Sequence, residues 1–315
     1  MSTLHWHPFL GEWVIVSGNR QARPNLPKDH CPFCPGSPKV PASYEAISVA
    51  NDFPSLSLDS PGTGPDSGMF LSAPARGVCE VVLYSSVHEQ TFSTLGADQV
   101  DKVIGLWTER YRALGAMKEI RAVFIFENKG QVVGATIPHP HGQIYAFGFL
   151  PPRMERELKS QEEYLREKGS CLGCALAREE AARPERVVAL NQGWVASVPW
   201  HARYPYEVQI LPRRHLGSLA EMRGDERDEL NAVLREVTRR YDGLFGFPLP
   251  YMMLQHARPT DGGEYPYHHF RISFLPLHRA ADKLKYIAGC ETGAGTYITD
   301  MDPEWAAGKL KEVRL

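Results

Sequence analysis

The sequence predicts an α+β fold built twice in tandem, each copy a mostly antiparallel sheet with one packed helix. Three observations predict it. The strand-like run Glu80-Val81-Val82-Leu83-Tyr84-Ser85-Ser86-Val87-His88 recurs as Glu207-Val208-Gln209-Ile210-Leu211-Pro212-Arg213-Arg214-His215, at an offset of 127 residues. A helical pattern follows each run. Val100, Val103, Ile104, Trp107, Tyr111 and Leu114 fall at steps of three and four, and Leu230, Val233, Leu234, Val237, Tyr241 and Leu244 repeat those steps at an offset of 130. After each helix comes an apolar strand, 123–126 or 251–254, and then a histidine-bearing strand, so that His139 aligns with His269. The period is far longer than that of a solenoid, so the reading is a duplicated domain.

Bulk properties set the frame for these elements. A chain of 315 residues, 43% apolar and 10% aromatic, is long enough for two globular domains with sizeable cores. Lys plus Arg 35 against Asp plus Glu 37 leaves a net charge of −2, which calls for neither a nucleic-acid nor a membrane partner. The start Met1-Ser2-Thr3-Leu4-His5-Trp6-His7 has no apolar core of a signal peptide. No stretch approaches the roughly 18 apolar residues that a membrane helix needs, so the expected location is cytoplasmic. Between the elements, the Ser-, Gly-, Pro- and Asp-rich run 55–68 predicts a mobile surface loop, and the charged, helix-prone run 153–168 predicts a link between the halves.

Four of the six cysteines form two C-x-x-C pairs, Cys31/Cys34 and Cys171/Cys174, which in a chain without a secretory signal favours metal over disulfides. The first pair sits in a Pro/Gly-rich knuckle rather than beside a βαβ unit, which argues against thioredoxin-like chemistry. Cys79 and Cys290 are single, as small hydrophobes often are. The repeat extends each pair to four ligands: Cys31, Cys34, His88 and His139 in the first half, Cys171, Cys174, His215 and His269 in the second. Two thiolates and two imidazoles suit tetrahedral structural zinc.

The most informative run is Pro138-His139-Pro140-His141-Gly142-Gln143-Ile144-Tyr145. In an extended strand its alternation sets His139, His141 and Gln143 along one face, one histidine available to metal and the other to chemistry. With Phe126-Glu127-Asn128-Lys129-Gly130 and Gly134-Ala135-Thr136-Ile137 upstream, the segment closely resembles the active site of galactose-1-phosphate uridylyltransferases, the transferase branch of the histidine-triad superfamily.

The resemblance implies two tandem histidine-triad-like domains, residues 1–152 catalytic and 153–315 lacking the nucleophile, since Arg271 and Ser273 stand where the first half has His141 and Gln143. It places the attacking histidine at His141, and it carries the first metal site directly. An imidazole attacks phosphorus without a separate base and gives a covalent nucleotidyl-histidine. The hydrolase branch has a third histidine at the position of Gln143, and an amide cannot exchange protons at neutral pH, so transfer is favoured over hydrolysis.

Asn128, Gly134 and Thr136 are expected to donate to phosphate oxygens. Asn51, Asp52 and Phe53 resemble the family's base and ribose site; without the resemblance, Asn51 reads as an Asx turn. Arg20 and Arg23 match arginines that reach the nucleotide of a neighbouring subunit, implying a homodimer with shared active sites. Lys285, Tyr286 and Glu291 resemble the hexose-phosphate loop, although Cys290 and Tyr297 replace a family tyrosine and glutamine. Glu157 and His256 match iron ligands of some members, but the strand histidine that would complete such a site is absent here, so zinc is expected on the second cysteine pair. The implied reaction exchanges UMP between UDP-glucose and galactose 1-phosphate. An ADP-glucose-type phosphorylase and a non-catalytic nucleotide-binding module are the alternatives.

Overall fold

The computed structural model describes residues 2–22, 31–61 and 68–315. In chain order the N-terminal half supplies β1 (Ser2–His7), β2 (Glu12–Ser17), β3 (Ile47–Ala50), β4 (Ser72–Pro74), β5 (Gly77–Leu83), α1 (Ala97–Gly115), β6 (Ala122–Lys129) and β7 (His141–Phe147). The C-terminal half supplies α2 (Pro152–Lys168), α3 (Leu172–Ala181), β8 (Val187–Leu190), β9 (Trp194–Ser197), β10 (Val208–Pro212), α4 (Gly224–Leu244), β11 (Tyr251–His256) and β12 (Arg271–Pro276). A hairpin of β13 (His278–Ala280) and β14 (Lys283–Leu284) and the helix α5 (Pro303–Glu312) close the chain.

The duplication is visible in the strand order. One nine-stranded antiparallel sheet runs β3-β5-β7-β6-β11-β12-β10-β9-β8, in which β5-β7-β6 is mirrored by β11-β12-β10. The halves meet where β6 pairs with β11, Lys129 opposite Tyr251 and Phe126 opposite Leu254. Joining edge to edge pairs backbone groups that two separate sheets would leave exposed. β1, β2 and β4 form a smaller sheet beside it.

The two faces of the large sheet have different work. On one face α1 buries Val100, Val103, Ile104, Trp107, Tyr111 and Leu114, and α4 buries Leu230, Val233, Leu234, Val237 and Tyr241, as the periodicity predicts. Ile125, Ile144, Met253 and Ile272 meet them from the sheet in one continuous core. Full burial of each such side chain contributes about 1.5–3 kcal/mol. The alternation of β7 therefore sends Gly142, Ile144 and Ala146 inward and leaves His141, Gln143 and Tyr145 on the other face, half-buried. Over the C-terminal half α3 packs Leu176 and Ala177 on Val195 and Leu211 of that outer face.

α2 begins on Pro152, whose missing N–H costs nothing in a first turn, and stops at Gly169 in the left-handed region. The run 55–68 departs from the expected mobile loop in its described part, 55–61. Ser55, Leu56 and Ser60 are buried. The Ser60 hydroxyl donates to the Ser2 carbonyl at 2.5 Å and accepts from the Ala75 amide at 3.0 Å, fastening the run to the small sheet. A single apolar anchor, Leu56, outweighs the polar composition around it. Residues 62–67 lie outside the described residues.

Candidate functional site

Two clusters repeat the same geometry. The ligand atoms of Cys31, Cys34, His88 and His139 lie within 4.8 Å of one another, as do those of Cys171, Cys174, His215 and His269. Cys34 Sγ is 3.4 Å from His88 Nδ1 and 3.8 Å from His139 Nδ1. Cys174 Sγ is 3.5 Å from Nδ1 of both His215 and His269. The far nitrogens are matched too. His139 Nε2 lies 2.7 Å from the Ser85 carbonyl and His269 Nε2 lies 3.0 Å from the Pro212 carbonyl, and Ser85 and Pro212 are themselves equivalent in the repeat. Those carbonyls take the Nε2 proton, which leaves the Nδ1 lone pair facing the thiols.

Burial pushes His139 and His269 down to about 4, so both are neutral and suited to ligation. It also pushes the Cys31 thiol up, and burial together with Cys171 pushes Cys174 up to about 12, so thiolates here need a cation among them. The donor chemistry of both clusters fits a tetrahedral metal ion. At the second, a Cβ on Gly173 would meet His269 Cβ at 2.2 Å, so only glycine lets the start of α3 approach the ligand this closely. Tyr44, unread in the sequence, supports the first: its hydroxyl lies 2.8 Å from His139 Nε2 and donates to the Phe33 carbonyl at 2.5 Å.

Beside the first cluster runs the row His141, Gln143, Tyr145. His141 Nδ1 is 2.7 Å from the His139 carbonyl, which places the ring proton on Nδ1 and the lone pair on Nε2. The Phe33 ring lies 5.3 Å from the His141 ring and holds it from one side. Gly142 is glycine for a local reason: a Cβ there would meet the Tyr84 hydroxyl at 2.1 Å. Gln143 stands between Val81 of β5 and Phe126 of β6. His141, Asn128, Thr136, Lys129, Gly130 and Glu127 line a cleft of about 220 Å³. Gly134, with φ +84°, ends the short turn that carries the chain round to Thr136.

The loop after β3 approaches the same row. Asn51 Oδ1 accepts from the Phe53 amide at 2.9 Å, so its side chain shapes an Asx turn. Asp52 pairs with Lys39 at 2.7 Å, and the Lys39 ammonium lies 5.7 Å from the centre of the Phe33 ring. Asp52, Lys39, Phe33 and His141 thus form one connected set. Arg20 Nη1 donates to the Phe53 carbonyl at 3.1 Å, to Ser55 Oγ at 3.0 Å and to Tyr145 Oη at 3.3 Å, tying that loop to the far end of the row. Arg23 lies outside the described residues. Sequence reasoning missed Phe33, Lys39, Tyr44 and Tyr145. Only Phe33, between the cysteines of a metal knuckle, and Tyr145, in step with His141 and Gln143, carried a signal.

In the C-terminal half Arg271 takes the position that matches His141 and is held. Its Nη2 lies 2.7 Å from Glu157 Oε1, and Glu157 Oε2 lies 3.4 Å from His256 Nδ1. Burial pushes His256 down to about 4, so it is neutral, and Arg271 is the cation against the carboxylate. Burial alone would raise Glu157, but the His256 hydrogen bond and the Arg271 charge hold it well below the usual carboxylate range. Lys285 pairs with Glu291 at 3.0 Å and also donates to the Ile298 carbonyl, and Tyr286 is 75% exposed. These three residues, expected to serve the hexose phosphate, do not line the His141 cleft of their own chain.

The chain matches known proteins in both halves. Residues 2–151 match the N-terminal domain, and residues 157–314 the C-terminal domain, of the galactose-1-phosphate uridyl transferase family. A galactose-1-phosphate uridylyltransferase of Thermotoga maritima is 40% identical over 318 residues, spanning 100% of this chain and 99% of that protein. A solved uridylyltransferase superposes with a TM-score of 0.91 at 31% identity, covering 99% of this chain and 98% of the other. An ADP-glucose phosphorylase from Arabidopsis thaliana, solved with bound ADP-glucose, shares the fold with a TM-score of 0.78 at 24% identity over 100% of both chains. Matched in both halves and along its whole length, the chain belongs to the galactose-1-phosphate uridylyltransferase family.

Proposed function

We propose that this protein exchanges UMP between UDP-glucose and galactose 1-phosphate by a ping-pong route through uridylyl-His141. The observation that carries the reading is the His141 ring, its Nδ1 proton held at 2.7 Å by the carbonyl of His139. Nε2 attacks the α-phosphorus of UDP-glucose, an N–P bond forms, the P–O bond to the β-phosphate breaks, and glucose 1-phosphate leaves. A phosphate oxygen of galactose 1-phosphate then attacks the same phosphorus, the N–P bond breaks, and UDP-galactose leaves. The carbonyl that accepts the Nδ1 proton also stabilises the positive charge the ring carries while phosphorylated.

Asn128, Thr136 and the backbone at Gly134 supply donors to the phosphoryl oxygens. Gln143 donates without shuttling a proton, which disfavours water as acceptor. Asn51, Asp52 and Phe53 hold the nucleoside, with Arg20 and Arg23 serving the nucleotide. Lys285, Tyr286 and Glu291 serve the hexose phosphate. Because those three stay outside the cleft of their own chain, the reading is a cytoplasmic homodimer in which a second copy completes each site. Zinc in the two Cys₂His₂ clusters clamps distant segments and takes part in no step. The two halves, 1–152 and 153–315, act as catalytic and supporting domains.

Intact-mass measurement after mixing with UDP-glucose alone should show one added UMP per chain, acid-labile as a phosphoramidate is. Absence of the adduct would remove the reading. Galactose 1-phosphate should then discharge the adduct faster than inorganic phosphate does; the reverse order would move the assignment to a phosphorylase.

A further inference from the structure

Glu127 is unexpected where it stands. It precedes the phosphate donor Asn128 on β6 and points to the opposite, core face of the sheet, 4% exposed. It sits opposite Met253 on the seam that joins the halves. Its Oε1 accepts from Tyr251 Oη of the C-terminal half at 3.3 Å. Its Oε2 makes no well-aligned hydrogen bond and neither does the hydroxyl of Tyr84, the residue that underlies Gly142, yet the carboxyl and that hydroxyl lie close enough to act on one another. The nearby cation is committed elsewhere: Lys129 Nζ pairs at 2.5 Å with Asp242 of α4, which also accepts from Ser93 Oγ at 2.5 Å and from the Leu249 amide at 2.9 Å. Yet Glu127 borders the cleft that holds His141.

Resting on the transfer reading above, we propose that Glu127 is a positioning residue for uridylyl transfer, its carboxyl joining the cleft-lining strand end to the C-terminal half beneath Gly142. It acts as a neutral acid. A buried carboxylate with one long hydrogen bond and no cation of its own would be costly, whereas a carboxylic acid can keep the Tyr251 contact and offer a proton towards Tyr84. The charged and titratable groups around it are Lys129 on its own strand, Tyr251 on β11, Asp242 on α4 and Tyr84 after β5. Burial outweighs the Lys129 charge and pushes Glu127 up to about 8. Deprotonation would then place a negative charge below the site where phosphates bind. Asn128 and His141 touch substrate; Glu127 acts through them.

The test compares Glu127→Gln with Glu127→Ala in the full-length protein, following uridylyl-enzyme formation in single turnover across neutral and alkaline pH, with thermal unfolding of each variant. Gln keeps the shape and neutrality of the protonated acid. It should react within about threefold of the wild type at neutral pH, and Ala about tenfold or more slower at saturating UDP-glucose, as expected when a group fixes geometry rather than binding. The wild-type rate should fall as pH rises through about 8, and the Gln variant should lack that fall. A Gln variant as slow as Ala while fully folded, or sharing the wild-type alkaline fall, would overturn the proposal. A wild-type protein that forms no adduct would instead overturn the transfer reading, and this role with it.

Discussion

The two halves of the sheet carry the same clamp and different chemistry. In both, a Cys₂His₂ cluster is set by a histidine whose Nε2 faces an equivalent backbone carbonyl, Ser85 or Pro212. Two residues beyond that histidine they part: one half sets His141 beside a cleft of about 220 Å³, the other sets Arg271 beside a cleft of about 570 Å³ walled by α2 and α3, with Ser273 buried. A closed four-ligand site holds strands together without touching a substrate, so it serves either half equally. The outer face beside it is under no such constraint. In the C-terminal half α2 and α3 wall that face, and Arg271, at the position that matches His141, pairs with Glu157.

The strongest way to break the comparison is to exchange the parts that differ. His141→Asn should abolish adduct formation, a loss of about 10⁴-fold or more as for other activated nucleophiles, while Arg271→His should add no second adduct. Intact mass with UDP-glucose reads both. An adduct surviving His141→Asn would mean that the nucleophile lies elsewhere.

Next in size are the parts that match. With one ion expected at each cluster, Cys31→Ser and Cys171→Ser should each lower the bound metal from two ions per chain to one and lower stability by several kcal/mol, since metal binding to such a site is folding free energy. Elemental analysis with thermal unfolding checks this. A wild-type chain holding one ion or none after chelator washing would end the symmetry of the clamps.

A smaller effect belongs to the C-terminal half alone. The Glu157 carboxyl lies below its ordinary range in the fold, so the stability it contributes is present above the unfolded value of 4.5 and is lost as pH falls below it. Glu157→Gln should cost about 1–3 kcal/mol at neutral pH, less than a fully buried pair because both side chains keep some exposure. Its stability should also decline less steeply than the wild type's under acid. Parallel acid profiles for the two proteins would show that Arg271 is not held by this charge.

The finest test sharpens the role of the N-terminal row. Gln143→His introduces a proton-exchanging group beside His141 and should raise the ratio of hydrolysis to transfer by about tenfold, below the roughly 10²–10⁴-fold of a well-placed general acid–base group. An unchanged ratio would remove the reason given for the glutamine.

Much of this was legible in the chain itself. A period of two names the face that carries His141 and Gln143, and a step of three and four names the buried stripes of α1 and α4, because local geometry alone sets both. The eight metal-ligand candidates could be grouped because the chain repeats. What escaped were pairings between segments distant in sequence with no periodic signature: Lys39 on Asp52, Phe33 against His141, Tyr145 with Arg20, Ser60 on Ser2. Composition misread 55–61 because one buried leucine, invisible to an average, settles where that run lies.

By itself, then, the sequence determined a duplicated α+β chain, its two ligand sets and the histidine that faces outward between them, all properties of local period and of repetition. Only the tertiary structure decided that the copies share one sheet through β6 and β11, that α2 and α3 wall a cleft at Arg271, and that Glu127 is buried on the seam without a cation of its own. Those outcomes depend on which edges and faces meet, and no residue states its partner in advance: strand edges offer the same backbone groups everywhere, and a buried charge is defined only by what surrounds it.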